Sequence, residues 1–283
     1  MNQTKANDTL RQWRESAPYW EKHSGTIRSM LVPLTEALIA DAGISAGQSV
    51  LDVAGGVGEP SLTIAERVGP AGAVTCTDAV AEMVAAAESE AKRRGVANIK
   101  FRQCTADSLP FDDNSFDAVV SRLGVMFFPD PLAGLREMLR VTKSGGALSL
   151  AVWHKSKLNP FTQVITDVVS RYVDPSPPAD ADAPGAFRFA EPGKLAGLLK
   201  CAGANDVRER VLHFRIEAPI TPSEFWELRS EISETLREKL VKLSPAQVLS
   251  VAREVKEAVA EFFPNNQMSF PAQMIIVTGR KPE

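Results

Sequence analysis

"LDVAGGVGEPSLTI", residues 51–64, sets the reading of this chain: a short apolar run, a glycine-rich turn, then apolar residues at helical spacing. A turn of this kind between a strand and a helix approaches a nucleotide. Glycines lacking Cβ let the backbone come close, and the free N–H groups at the helix start face the ligand. The turn alone does not say which nucleotide-like cofactor it holds.

Outward from the turn, strand and helix patterns alternate. Strands are expected at "SVLDVA" (49–54), "GAVTCTD" (72–78), "NIKFRQC" (98–104), "SFDAVVSRLG" (115–124) and "ALSLAVW" (147–153). Helices are expected between them at 60–68, with Pro60 in the first turn, at 81–95 and at 131–146, the last two stopped by glycine. Such alternation predicts an α/β fold built on a parallel sheet. Further on, "EPGKLAGLLKCAGA" reads as a helix, and "VRERVLHFRIEA" and "AQMIIVTGR" as the last two strands. Between those strands, Val248, Val251, Val255, Val259 and Phe262 recur at helical spacing, which predicts a helical insert over 221–263 that packs on the core or covers a pocket. "VDPSPPADADAPGA" (173–186) reads as a loop, and residues 10–20 and 27–42 as amphipathic helices.

The composition narrows the classes. A formal net charge of −3 from scattered acids and bases, with no Lys/Arg block, argues against a nucleic-acid partner. Cys76, Cys104 and Cys201 lie far apart without a CxxC pair, so they read as small buried hydrophobes and no metal site is expected. The polar N-terminus is not a signal peptide, and no apolar run reaches the ~20 residues of a membrane span. A cytoplasmic protein is the expectation.

Two cofactor classes use the turn, dinucleotides such as NAD and S-adenosylmethionine. A dinucleotide fingerprint needs G-x-G-x-x-G, and placing Gly56 and Gly58 on its first two glycines puts Ser61 on the third. Glu59 would also bring a negative charge to the place of the pyrophosphate. S-adenosylmethionine has no pyrophosphate. Asp78 ends the second strand about 20 residues past the turn, the distance at which an acid reaches ribose hydroxyls in either class. Asp107, after the third strand, could accept from an adenine amino group, with Ala106 and Ser108 completing that rim.

Together, "VLDVAGGVGEPSLTIAERVGPAGAVTCTDAVAEMV", "TADSLPFDDNSFDAVV" and "LREMLRVTKSGGALSLAVW" resemble the class I S-adenosylmethionine-dependent methyltransferases, and among them the group of the ubiquinone/menaquinone-biosynthesis C-methyltransferases. The resemblance covers residues 49–153. It implies a Rossmann-like sheet of seven mostly parallel strands, helices on both faces and an antiparallel last strand. It further implies one methyltransferase domain, with a helical cap over 1–48, a cofactor core over 49–153 and a substrate-side half over 154–283. In the family motif D-x-G-x-G-x-G, Ala54 replaces the first glycine. The resemblance places Asp52, Ala54, Gly55, Gly56 and Gly58 at the methionine end of the cofactor and Asp78 on its ribose. Ala79 and Met83 flank the adenine, and Ser121, Arg122 and Leu123 face the methionine and the acceptor. Where the quinone enzymes carry Gly-Leu-Arg-Asn, this chain has "GVMFF" (124–128), so their substrate is not carried over.

Methyl transfer from a sulfonium is an in-line displacement needing alignment and exclusion of water, with no metal. His154, at the carboxyl edge of the fifth strand, is the candidate base or pocket residue. His23 reads as a solvated histidine and His213 as structural. Tyr19 and Trp20 either close the pocket or staple the first helix. Met126, Phe127, Phe128, Phe161, Trp226 and Phe270 are candidates for an apolar cavity, which would take a small hydrophobic acceptor. An NAD-dependent oxidoreductase and a non-catalytic S-adenosylmethionine-binding module are the competing readings. The acceptor, the atom methylated and the oligomeric state are open at this point.

Overall fold

The computed structural model describes residues 3–173 and 180–283, with side chains from residue 8 onward. Three helices lead, α1 (Gln3–Lys22), α2 (Ser24–Met30) and α3 (Val32–Asp41). Then come β1 (Ser49–Val53), α4 (Ser61–Val68), β2 (Ala73–Asp78), α5 (Ala81–Arg94), β3 (Ile99–Gln103), β4 (Phe116–Arg122), α6 (Pro131–Val141) and β5 (Thr142–Trp153). The chain continues through α7 (Pro160–Val169), α8 (Lys194–Ala202), β6 (Asn205–Ala218), α9 (Pro222–Ile232), α10 (Glu234–Leu240), α11 (Pro245–Ala258) and β7 (Met268–Arg280).

The strands form one sheet in the order β3-β2-β1-β4-β5-β7-β6, with β7 antiparallel to both of its neighbours. This is the expected mostly parallel, Rossmann-like sheet. Strand order reverses between β1 and β4, so the carboxyl ends of these two strands open the crevice where ligands of such sheets bind. The central strands are buried on both faces, as in Val50, Leu51, Val119 and Val120. Helices start and stop on local signals. The Asp130 side chain caps α6 by accepting from Ala133 N–H at 3.0 Å, and Gly95, at φ 68°, ends α5. Helix α4 begins one residue after Pro60.

The helical insert resolves into α9, α10 and α11. Capping boxes at Thr221/Glu224 and Ser244/Gln247 open α9 and α11, signals shorter than the periodicity window that merged the segment in sequence. Phe225, Leu228, Val251, Val255 and Val259 are buried in the core shared with α3, α7 and β7, so the insert packs on the core. Of the stretch read as a loop, residues 174–179 lie outside the described residues. From Asp180 to Ala190 there is no helix or strand, and Gly185 N–H donates to the Met126 carbonyl at 3.1 Å. Among the described residues, no helix is long and apolar enough to cross a membrane.

Candidate functional site

The glycine turn owes its shape to three residues. Gly55 N–H donates to the Thr77 carbonyl at 2.9 Å, and a Cβ on Gly55 would sit 2.7 Å from the Cys76 sulfur and 2.8 Å from Asp52 Oδ2. Gly56, at φ 56°, has open space where its Cβ would be, on the wall of a cavity. Asp52 is fully buried. Its Oδ2 accepts from the Ser61 hydroxyl at 2.5 Å, tying β1 to the first turn of α4. Burial pushes this carboxyl up to about 7, against the Ser61 hydrogen bond and the field of Arg122. Ser61 therefore has a task in the turn that a third glycine could not perform.

Two residues with side chains hold left-handed backbone at the strand-order reversal. Ala54, at the end of β1, has φ 60°, and Leu123, at the end of β4, has φ 63°. Each costs on the order of 1 kcal/mol, and for a residue as bulky as leucine this is strain of the kind concentrated at ligand sites. Gly124 lets the two ends approach: a Cβ there would meet the Ala54 Cβ and the Ser121 hydroxyl at 2.7 Å.

Asp78 closes β2 beside the turn. Its Oδ2 accepts from Gly56 N–H and its Oδ1 from Val80 N–H, both at 3.0 Å. Burial raises its pKa while these backbone donors oppose the shift. Glu59, which sequence placed awkwardly at the helix mouth, is neutralised: Arg94 Nη1 donates to it at 2.5 Å and the Thr63 hydroxyl at 2.7 Å. The Arg122 guanidinium, coming from β4, donates to the Thr35 hydroxyl at 2.6 Å and to the Glu59 carbonyl at 3.0 Å.

These groups wall a cavity of about 530 Å³, within the range of small-molecule and cofactor sites. Of the candidates, Ala54, Gly55, Gly56, Asp78, Ala79, Met83, Ala106, Asp107, Arg122 and Leu123 line it, as do Trp20, Phe127 and Phe128. The floor is continuous with an apolar chamber. Trp13 meets Phe127 edge-on at 4.9 Å between ring centroids and Trp20 at 5.7 Å, with Ile27 and Leu31 beside them. Arg14 of α1 pairs with Glu82 of α5 at 3.4 Å on the exposed rim of this side.

Other candidates stand away from the cavity. Asp52 and Ser121 are wholly buried behind the turn, Gly58 packs beside Leu62 and Ala87, and Ser108 is exposed on the loop after β3. Met126 is core. Phe161 and Phe270 belong to an aromatic cluster with Phe225, and Trp226 packs against the same core. Tyr19 lies under the Arg237 guanidinium, 5.0 Å from its ring centre, on the face of α1 turned to α10. The side chain of His154 turns off the crevice edge, its Nδ1 within hydrogen-bond reach of the Ala190 carbonyl and the Lys155 amide. His23 is not a solvated histidine: its Nε2 sits 2.6 Å from Glu231 Oε2 in a half-buried pair. Of the three cysteines only Cys76 is buried. Cys104 lies on the cavity wall and Cys201 is exposed.

Sequence reasoning missed Trp13, Ile27, Leu31, Arg28 and Cys104. Trp13 was readable, since it precedes Trp20 by seven residues and so shares its helix face. The rest depend on how α2 crosses the sheet, which no local pattern encodes.

Residues 35–175 match the ubiE/COQ5 methyltransferase family. A ubiquinone/menaquinone biosynthesis C-methyltransferase of Stenotrophomonas maltophilia is 43% identical over 109 residues, 38% of this chain and 43% of that one. Its counterpart in Hahella chejuensis is 39% identical over 133 residues, 47% and 53%. An uncharacterized protein of Mycobacterium tuberculosis is 37% identical over 124 residues, 44% of each chain. The chain spans about half the length of the curated relatives it matches. Among solved structures, a putative methyltransferase of Bacillus halodurans superposes with a TM-score of 0.56 at 21% identity, covering 88% of this chain and 99% of that one. The Haemonchus contortus phosphoethanolamine N-methyltransferase 2 bound to S-adenosyl-L-methionine gives 0.57 at 18% identity, covering 97% and 60%. At these identities the structures share the fold. Residues 35–175 of this chain thus form a region of the ubiE/COQ5 methyltransferase type, the S-adenosylmethionine-dependent methyltransferase family that the sequence resembles.

Proposed function

We propose that the protein transfers a methyl group from S-adenosylmethionine to a small apolar molecule, and that it does so as one unit in which the N-terminal helices cap the cofactor core. One observation carries the reading: a single cavity joins the glycine turn and Asp78 to the chamber of Trp13, Trp20, Phe127, Ile27 and Leu31. The residues fit the cofactor. Asp78 offers a carboxylate already oriented by two backbone donors, suited to ribose hydroxyls, and Met83 and Ala79 supply an apolar face for adenine. The open side of Gly56 leaves room for the ribose and methionine portion.

When bound, S-adenosylmethionine supplies an electrophilic methyl group on sulfur. The chain's own residues align and dehydrate. The aromatic wall from α1 and the segment after β4 excludes water from the acceptor end, where a less polar medium speeds loss of the sulfonium charge. Among the described lining residues there is no histidine, lysine or tyrosine. Of the carboxylates there, Glu59 is held by Arg94, Glu90 is paired with Arg93, Asp130 is occupied in capping α6, and Asp78 and Asp107 are read as cofactor contacts. The acceptor therefore brings its own nucleophile, an amine, thiolate, ionised hydroxyl or activated carbon. A nucleic-acid strand does not suit this enclosed apolar chamber, and a cytoplasmic metabolite does.

The test is incubation of the protein with methyl-labelled S-adenosylmethionine and a host metabolite extract, followed by mass spectrometry. Label in an apolar small molecule supports the proposal. Cofactor that binds while no metabolite gains label supports a binding module instead.

A further inference from the structure

The cavity wall that carries Phe127 and Phe128 is a turn too short to complete its own hydrogen bonds. Val125–Phe127 form a single 3-10 turn after β4, in which Phe127 N–H donates to the Gly124 carbonyl at 2.9 Å and Phe128 N–H to the Val125 carbonyl at 3.3 Å. The carbonyls at its far end need donors from elsewhere in the chain. Two come from one loop, residues 180–190. Gly185 N–H donates to the Met126 carbonyl at 3.1 Å, and Arg188 Nη1 donates to the Phe128 carbonyl at 2.6 Å. The second bond has a charged donor, which makes it the stronger of the two.

The loop is anchored at the point where it does this. Phe189, next to Arg188, is buried in the same apolar cluster as Met126 and Phe128, and the Arg188 guanidinium lies 5.5 Å from the centre of its ring. The Phe128 ring is seated against α6, where a Cβ on Gly134 would come within 2.8 Å of it. Phe127 meets Trp13 of α1 edge-on at 4.9 Å, and both line the cavity. One line of contacts therefore runs from Phe189 and Arg188, through the Phe128 carbonyl, to Phe127 and the first helix. The turn lies within the family-matched residues 35–175 and the loop outside them, so the support of this wall comes from the part of the chain beyond the match.

Resting on the methyltransferase reading above, we infer that Arg188 is a positioning residue of the apolar chamber. It holds the turn through the Phe128 carbonyl and so sets where Phe127 stands against Trp13. The 180–190 loop thereby shapes the chamber proposed for the acceptor without lining it.

Tryptophan fluorescence tests the inference, with S-adenosylhomocysteine as the probe and Trp13 as the reporter beside Phe127. Wild-type protein is compared with Arg188→Ala, Arg188→Lys, Gly185→Pro and Lys194→Ala, and a thermal melt reports whether each variant folds. Lys194 is the matched control: it binds the same loop, through Asp182 at 2.8 Å and the Ala181 carbonyl at 3.1 Å, and makes no hydrogen bond to the turn. Arg188→Ala is expected to lose about half or more of the fluorescence change and to bind S-adenosylhomocysteine about three- to tenfold more weakly, the scale of one hydrogen bond. Arg188→Lys, whose ammonium can still donate to a carbonyl, is expected to recover most of both. Gly185→Pro, which deletes the other donor, is expected to move both in the same direction as Arg188→Ala, and Lys194→Ala to follow wild type. A wild-type fluorescence change in Arg188→Ala or, should that variant not fold, in Gly185→Pro overturns the inference. So does a loss shared equally by Lys194→Ala, which would make the loop a matter of stability alone. Wild-type protein that does not bind S-adenosylhomocysteine overturns the methyltransferase reading instead, a distinguishable result.

Discussion

The Asp78 carboxylate accepts the Gly56 amide at 3.0 Å, so the end of β2 and the glycine turn after β1 form one unit. The acid is thereby aimed before any ligand arrives. Replacing Asp78 with alanine removes the proposed ribose partner and strands two backbone donors, at Gly56 and Val80. The expected loss of S-adenosylmethionine affinity is roughly 1.5–3 kcal/mol, read by titration calorimetry. Affinity equal to wild type would show that the ribose lies elsewhere.

Gly55→Ala is expected to destabilise the fold. Its new Cβ would lie 2.7 Å from the Cys76 sulfur and 2.8 Å from Asp52 Oδ2, both in the buried floor of the turn. Overpacking of this kind costs typically ~1–3 kcal/mol, a shift visible in denaturant melts. Ala54→Gly, one residue earlier, is expected to change stability by less than about 1 kcal/mol. Relief of the left-handed backbone offsets the greater freedom glycine gives the unfolded chain.

Cofactor binding should be visible in intrinsic fluorescence, and its origin is specified. Of the four tryptophans, Trp13 and Trp20 line the cavity while Trp153 and Trp226 pack against the core. A change on adding S-adenosylhomocysteine is expected in wild-type protein and in Trp226→Phe, and to be largely lost in Trp13→Phe/Trp20→Phe. A signal unchanged in that double variant would place the ligand away from α1.

The buried Asp52 predicts a pH signature. Its folded pKa, about 7, exceeds the ordinary carboxylate value, so the folded state holds the proton more tightly than the unfolded chain. Its contribution is therefore fully present below about pH 4 and falls as pH rises towards 7, at no more than ~1.4 kcal/mol per pH unit. Asp52→Asn, which can still accept from Ser61, should flatten this part of the stability profile between pH 4 and 7. Glu234, also pushed up to about 7 by burial, leaves a residual slope. A profile identical to wild type would mean Asp52 is ionised throughout.

His154→Gln is expected to leave the pH dependence of methyl transfer unchanged, because the imidazole is bound to backbone at Ala190 and Lys155, off the cavity. A pH–rate profile that loses a limb in this variant would return His154 to the chemistry.

Much of the sheet was legible because each strand and helix carries its own period and stop signal. "SVLDV" is buried on nearly every residue and Gly95 ends its helix where expected. The glycine turn and Asp78 were legible for the same reason: a short motif fixes a local geometry. The apolar chamber was not. Phe161, Trp226 and Phe270 have the composition of a pocket and lie in the core, while Ile27, Leu31 and Trp13 form the chamber. Apolar side chains carry no mark of which cavity or core they face. That is decided by how α1 and α2 cross the sheet, a property of the whole packing.

The central claim is that the turn after β1 and Asp78 hold S-adenosylmethionine. Calorimetric titration of the wild-type protein with S-adenosylhomocysteine and, separately, with NAD tests it most directly. The account predicts micromolar binding of S-adenosylhomocysteine at one site per chain, abolished or strongly weakened in Asp78→Ala, and no binding of NAD. Binding of NAD with none of S-adenosylhomocysteine would contradict it.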